Sequence, residues 1–418
     1  MKNQITRACA ILISFIFVFL FTKLASPGVF GRYAFIFAVS NAMATLAVFG
    51  SSNLLLKKSA DLRDIWKVHL KHRSIESDSE LHNYSTYAFL VVFLNNVIIF
   101  IIAWPIFSSI EVLEQIYAEC FILCAFLSLH QVALVRLRIN YGVISFLINK
   151  EILFYAIPSF CMVAAWLFKY EGDYVDLAVL GLCIAILVTV HSAGWSSANR
   201  LDIKGLQKFC KSSHMFCWSG FVGILSGNLD MYIGRFLLSD TNLGVYAIIK
   251  KFALLLVLPQ NLANIESSVR ISLLIRDQPK ELTKYCVQKG RVVMIYTATI
   301  LTLSVLVSIL YTSHFEVDYH ENHFYVVTLL LLLLAILLNV TFGLNLMVAA
   351  QYGAEFVVLR SRILAIFASL VIVFLCSSSI GMYLVPVVFL LTMVITNVAV
   401  SKYLYEEKNV KTLFFSRI

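Results

Sequence analysis

The side chains in this sequence that can do chemistry are charges and amides set inside long apolar runs, where each is costly to place. The run 215–238 carries Asn228, Asp230 and Arg235, and the run 244–266 carries Lys250 and Lys251. At 100° per residue, Lys250, Leu254, Val257, Asn261 and Asn264 share one helix face. That spacing predicts a cation followed by two amides along a wetted stripe. Asn41, Thr45 and Ser52 form a second polar stripe in the run 33–56. Guanidinium and ammonium groups suit an anion whose charge is spread over several oxygens, and amides and hydroxyls suit a ligand with many hydroxyls. On this reading Arg235, Lys250 and Asp230 line a hydrated cavity, and Arg32 stands at its outer mouth. A second reading fits the same residues. Asp230 and Lys250 both sit about ten ångströms in from the outer surface, and they neutralise each other and pin their helices together.

Other chemistries find less support. Most of the nine cysteines lie in apolar runs, where Cys packs as a small hydrophobe. Cys120 and Cys124 are one turn apart, with no His or second Cys pair nearby to complete a metal site. His314, Asp318, His320 and His323 share the segment 312–323, expected as a solvated loop, in a spacing that matches no zinc motif. The phosphate-cradling G-x-x-x-x-G-K-[ST] pattern is missing, which argues against direct ATP use. No metal or cofactor is expected; a coupling ion, H+ or Na+, is left open, with Asp230 its first candidate ligand.

The elements that must position these groups are membrane helices. Of 418 residues, 60% are apolar and 14% charged, and the mean hydropathy is +0.85. Soluble domains are about half apolar and about a quarter charged. Twelve spans are predicted, at 8–24, 33–56, 84–107, 116–135, 146–168, 176–195, 215–238, 244–266, 291–311, 324–350, 360–376 and 382–403. Stretches such as FYVVTLLLLLLAILL are apolar on every face, which favours helices over an alternating barrel. The basic N-terminal stretch imitates a signal peptide, but without a clear cleavage site it reads as the first retained helix. Pro259 lies in the same run as Lys250, where a lost backbone bond would allow bending.

Lys and Arg crowd the even-numbered connections: Lys57 to Arg73 in the second, Arg200 to Lys211 in the sixth, Arg270 to Arg291 in the eighth. By the positive-inside rule, both termini and the even connections are cytoplasmic. The net charge of +9 is then mainly a topology signal, and no basic folded domain points to nucleic acid.

The chain also repeats. Gly31-Arg32-Tyr33-Ala34 matches Gly244-Val245-Tyr246-Ala247 at an offset of 213 (246 less 33), and Tyr141-Gly142 matches Tyr352-Gly353 at 211 (352 less 141). These matches predict two six-helix bundles: residues 1–195, then a cytoplasmic linker at 196–214 with an amphipathic stretch, then 215–418 with a cytoplasmic tail. Duplication of this kind in membrane proteins commonly serves alternating access around a site between the halves.

Phe30-Gly31-x-Tyr33 followed by an apolar helix ending in GSSNLLLKKS, and Asp230-x-x-x-Gly234 followed by Leu243-Gly244-x-Tyr246, carry a resemblance. The chain resembles the polysaccharide-export branch of the multidrug/oligosaccharidyl-lipid/polysaccharide (MOP) exporter superfamily, nearest to the Wzx-type O-antigen flippases. The resemblance implies an all-α polytopic protein of the bacterial inner membrane that moves an undecaprenyl-diphosphate-linked oligosaccharide from the cytoplasmic to the periplasmic leaflet. It implies a lipid-linked substrate, surrounding membrane lipids, and a polysaccharide polymerase and chain-length proteins as partners, with no covalent chemistry. Lys250, Arg235, Asp230, Arg32, Asn41, Thr45, Asn261 and Asn264 are the substrate-binding residues expected. Three alternatives remain. A cation or drug antiporter would favour a carboxylate-rich cavity; a membrane-embedded polymerase or glycosyltransferase would need larger outside loops. A major-facilitator transporter would carry G-x-x-x-D-R-x-G-R after span 2, where this chain reads KKSADLRDIWKVHLKHR.

Overall fold

The computed structural model describes residues 2–56, 75–194, 202–314 and 319–413. Helices lie along the twelve expected spans, although 33–56 and 324–350 are broken by turns at 49–50 and 342–344: α1 (Lys2–Leu24), α2 (Pro27–Val48), α3 (Ile75–Ser108), α4 (Tyr117–Tyr141), α5 (Val143–Leu167), α6 (Tyr174–Ala193), α7 (Ile203–Leu237), α8 (Asp240–Ala253 and Leu258–Asp277), α9 (Pro279–His314), α10 (Tyr319–Thr341), α11 (Glu355–Ile380) and α12 (Leu384–Lys408). Among the described residues, seven helical stretches are long and apolar enough to cross a membrane on length and composition alone, the last of them, Glu355–Lys408, comprising both α11 and α12. Neither α7 nor α8 is among them. Both carry the charges singled out above.

Local chemistry sets the helix ends. Pro27 opens α2 where a missing N–H costs nothing, and Ser26 accepts a hydrogen bond from the Val29 N–H at 3.3 Å. Asp173 caps α6 by accepting from the Val175 N–H at 2.8 Å. The repeated Tyr-Gly pairs behave alike: Gly142 at φ +86° and Gly353 at φ +70° turn the chain in a left-handed geometry that costs glycine no Cβ clash.

The chain divides into two compact units, 1–224 and 225–418. The boundary falls inside α7, which runs unbroken through residue 214. Of the expected linker, residues 196–201 lie outside the described residues, and 203–214 form the first turns of α7. The basic residues Lys57 to Arg73 also lie outside them. The segment 312–323, expected as a loop, is helical at both ends: α9 reaches His314 and α10 starts at Tyr319.

Each unit packs in the same order. In the first, α2 lies on α3 and α4, α4 on α6, α6 on α5, and α5 on α1. In the second, α8 lies on α9 and α10, α10 on α12, and α12 on α11. Leu229 and Ile233 of α7 form one apolar cluster with Val388 of α12, against which Ile366 and Val373 of α11 pack. The helices that follow the two matched motifs thus contact one another in the same order.

Two helices depart from α geometry. In α5, Ile148–Leu153 widens into a π-helix. In α8, Leu254–Val257 tightens into a 3-10 segment, with Pro259 in the first turn that follows. Lacking an N–H, Pro259 cannot bond the Leu255 carbonyl one turn back, and its ring crowds that carbonyl, so the break falls where a proline is expected to cause one.

Candidate functional site

In the C-terminal unit, α7 and α8 bring Asp230, Tyr246 and Lys250 together. The sequence supports the arrangement, since Tyr246 and Lys250 are one turn apart and present to the same neighbour. Lys250 Nζ lies 2.7 Å from Asp230 Oδ2 and donates to Asp230 Oδ1 at 2.9 Å and to the Gly227 carbonyl at 3.1 Å. The Tyr246 hydroxyl donates to Asp230 Oδ2, the carboxylate oxygen that also lies nearer the ammonium. The Phe389 ring of α12 faces the ammonium, its centroid 5.0 Å from Nζ. Asp230 is 1% exposed, Lys250 7% and Tyr246 0%. Each ionic group is therefore desolvated and almost fully hydrogen-bonded, the condition under which a buried pair is tolerated.

Arg235 and Arg32 are also paired. Arg235, near the end of α7, bonds Asp240 in the first turn of α8, across the turn in which Ser239 accepts from the Asn242 N–H. Arg32 of α2 bridges Glu119 at the start of α4 (2.8 Å) and Asp173 at the cap of α6 (2.9 Å). It belongs to the N-terminal unit and does not join the Asp230 cluster.

The polar stripes fare differently. Thr45 donates back to the Asn41 carbonyl at 2.8 Å, and both side chains are half-buried. The α8 stripe is interrupted, because the 3-10 segment separates Lys250 from Asn261 and Asn264. Lys250 is buried and Asn261 exposed, while Asn264 is half-buried with an Oδ1 that finds no partner among the described residues.

A second polar cluster lies in the same unit, built from residues the sequence reading passed over. Gln260 donates to the Gly343 carbonyl and accepts from Asn339, both at 2.8 Å. Asn397 donates to Asn339 at 2.8 Å, and Asn345 donates to the Asn397 carbonyl at 3.1 Å and to Ser401 Oγ at 3.0 Å. This amide chain ties α8, α10 and α12 together. Its only sequence signal was Gln260 standing beside the chosen Asn261. Among the described residues there is no group of three or more His, Cys, Asp or Glu side chains able to hold a metal ion.

Comparison with family models and with curated proteins finds no match. Solved structures do match along nearly the whole chain. A lipid II flippase, MurJ, in an inward closed conformation has a TM-score of 0.70 at 13% identity, covering 97% of this chain and 87% of its own. A MATE multidrug transporter, DinF-BH, has a TM-score of 0.64 at 17% identity, covering 99% and 94%. A MOP superfamily transporter from Pyrococcus furiosus has a TM-score of 0.63 at 11% identity, covering 95% and 91%. The chain is a multi-pass, all-helical membrane protein with the fold of the MOP superfamily transporters.

Proposed function

We propose that this protein is a flippase that carries a polyprenyl-diphosphate-linked oligosaccharide, of the O-antigen or a related surface-polysaccharide type, from the cytoplasmic to the periplasmic leaflet of a bacterial inner membrane. The cycle is alternating access, with no covalent step and no bound cofactor, and an H+ or Na+ gradient supplies the energy. A polysaccharide polymerase and chain-length proteins act on the product. The repeat motifs and the fold shared with a lipid II flippase support this reading.

The observation that carries it against cation or drug antiport is the state of Asp230. It is the one buried carboxylate among the described residues, and Lys250 neutralises it. A cationic drug held by a buried acid needs that acid uncompensated. The amide-rich, charge-balanced interior instead suits a ligand rich in hydroxyls. Because Lys250, Arg235 and Arg32 each hold a carboxylate, binding of the diphosphate by any of them requires exchange of that partner.

Deletion of the protein, followed by mapping of the lipid-linked glycan, tests the proposal. The glycan is expected to accumulate on the cytoplasmic leaflet with surface polysaccharide lost and drug sensitivity unchanged. Normal surface polysaccharide in a strain with no redundant exporter contradicts it.

A further inference from the structure

The Lys250 ammonium is surrounded as a free monovalent cation would be. It donates to Asp230 Oδ1 and to the Gly227 carbonyl, and Asp230 Oδ2 lies 2.7 Å away, so three oxygens surround it. The Phe389 ring closes another side at a distance where a ring face attracts a cation. The carboxylate does not depend on the lysine alone for its position, because Tyr246 donates to it separately.

The N-terminal unit supplies the contrast. The offset that aligns Tyr33 with Tyr246 also aligns Phe17 with Asp230 and Phe37 with Lys250. There the matched side chains pack as rings: Phe17 and Tyr33 centroids are 5.7 Å apart, and Tyr33 and Phe37 6.3 Å. The tyrosine is common to both units, while the anion and cation belong to the second alone. A neutral aromatic seam therefore suffices to pack this position, and the charged set in the second unit is an addition to the shared packing.

We propose that Lys250 is a tethered cation filling a monovalent-cation site of the C-terminal unit, formed by Asp230, the Gly227 carbonyl and the Phe389 ring, and that removing its ammonium leaves a site for an alkali cation or a small alkylammonium. With Lys250 in place, a coupling ion binds elsewhere than Asp230. The inference concerns cation binding within one unit and goes beyond the flippase reading.

The test is thermal unfolding of the purified full chain in detergent, at fixed ionic strength, in the chlorides of choline, sodium, potassium and methylammonium. The parent protein is expected to unfold at the same temperature in all four. Lys250→Ala unfolds earlier in choline and regains about 2–4 °C at saturating methylammonium or alkali cation. The double variant Asp230→Asn/Lys250→Ala loses that response. A Lys250→Ala protein indifferent to the cation, or a response that survives in the double variant, overturns the proposal. Lys250→Ser, whose hydroxyl can complete an inorganic cation's shell, is the second variant. Because the cytoplasm always holds potassium, failure of both variants to accumulate also overturns it. The readout is binding rather than transport, so a negative result here leaves the flippase reading standing.

Discussion

The Asp230→Ala protein is expected to unfold more easily than the parent by about 3–5 kcal/mol, the cost of removing one partner from a buried ion pair. The carboxylate receives both the Lys250 ammonium and the Tyr246 hydroxyl, so its loss leaves a buried cation and a buried phenol without their acceptor. Most of the cost lies in that uncompensated charge, since a pair formed from two desolvated ions contributes little net stability. The double change Asp230→Leu/Lys250→Met removes both charges and is therefore expected to recover most of the loss. The Phe17 and Phe37 positions of the N-terminal unit already show that such packing is feasible. Thermal unfolding of the parent, the single variant and the double variant measures it. Equal losses in single and double variants would mean that packing volume, rather than charge balance, holds α7 to α8.

Gly50→Ala is expected to cost about 2–5 kcal/mol, combining backbone strain with overpacking. Gly50 follows α2 at φ +71°, and a Cβ there would lie 2.5 Å from the Ser213 carbonyl oxygen, 2.6 Å from the Cys217 nitrogen and 2.7 Å from the Phe216 Cβ. Two of these are backbone atoms of α7 and cannot rotate away. Gly142→Ala is the control. Its φ is +86°, but a Cβ there meets nothing within 4 Å, so only the strain of about 1 kcal/mol applies. Comparable melting temperatures for the two variants would show that the contact between the end of α2 and α7 is looser than these distances require.

The helices were legible in the sequence because their apolar character is continuous around each axis, and the duplication because Tyr33/Tyr246 and the two Tyr-Gly turns do the same structural job twice. The alternative in which Asp230 and Lys250 pair was legible from depth alone, since 1.5 Å of rise per residue places both at one level. The α8 stripe was not. Projecting residues at 100° assumes an unbroken α-helix, whereas Leu254–Val257 winds at roughly 120° per residue, so Asn261 and Asn264 leave the face of Lys250. The partners of Arg32 were hidden by distance along the chain, Glu119 being 87 residues away and Asp173 141. Gln260, Asn339, Asn345 and Asn397 are scattered amides in apolar runs, and only packing of α8, α10 and α12 makes them a chain. The π-helix of α5 has no sequence mark that distinguishes it from the helix around it.

The central claim is that the protein moves a lipid-linked glycan between leaflets, and reconstitution tests it most directly. Liposomes containing a labelled polyprenyl-diphosphate oligosaccharide are prepared with and without the purified protein, and the glycan protected from an impermeant reagent is followed in time. The account predicts that the protected fraction falls in vesicles containing the protein, while a lipophilic cation in the same vesicles stays where it was loaded. A protected fraction unchanged by the protein, with the cation redistributed instead, would contradict it.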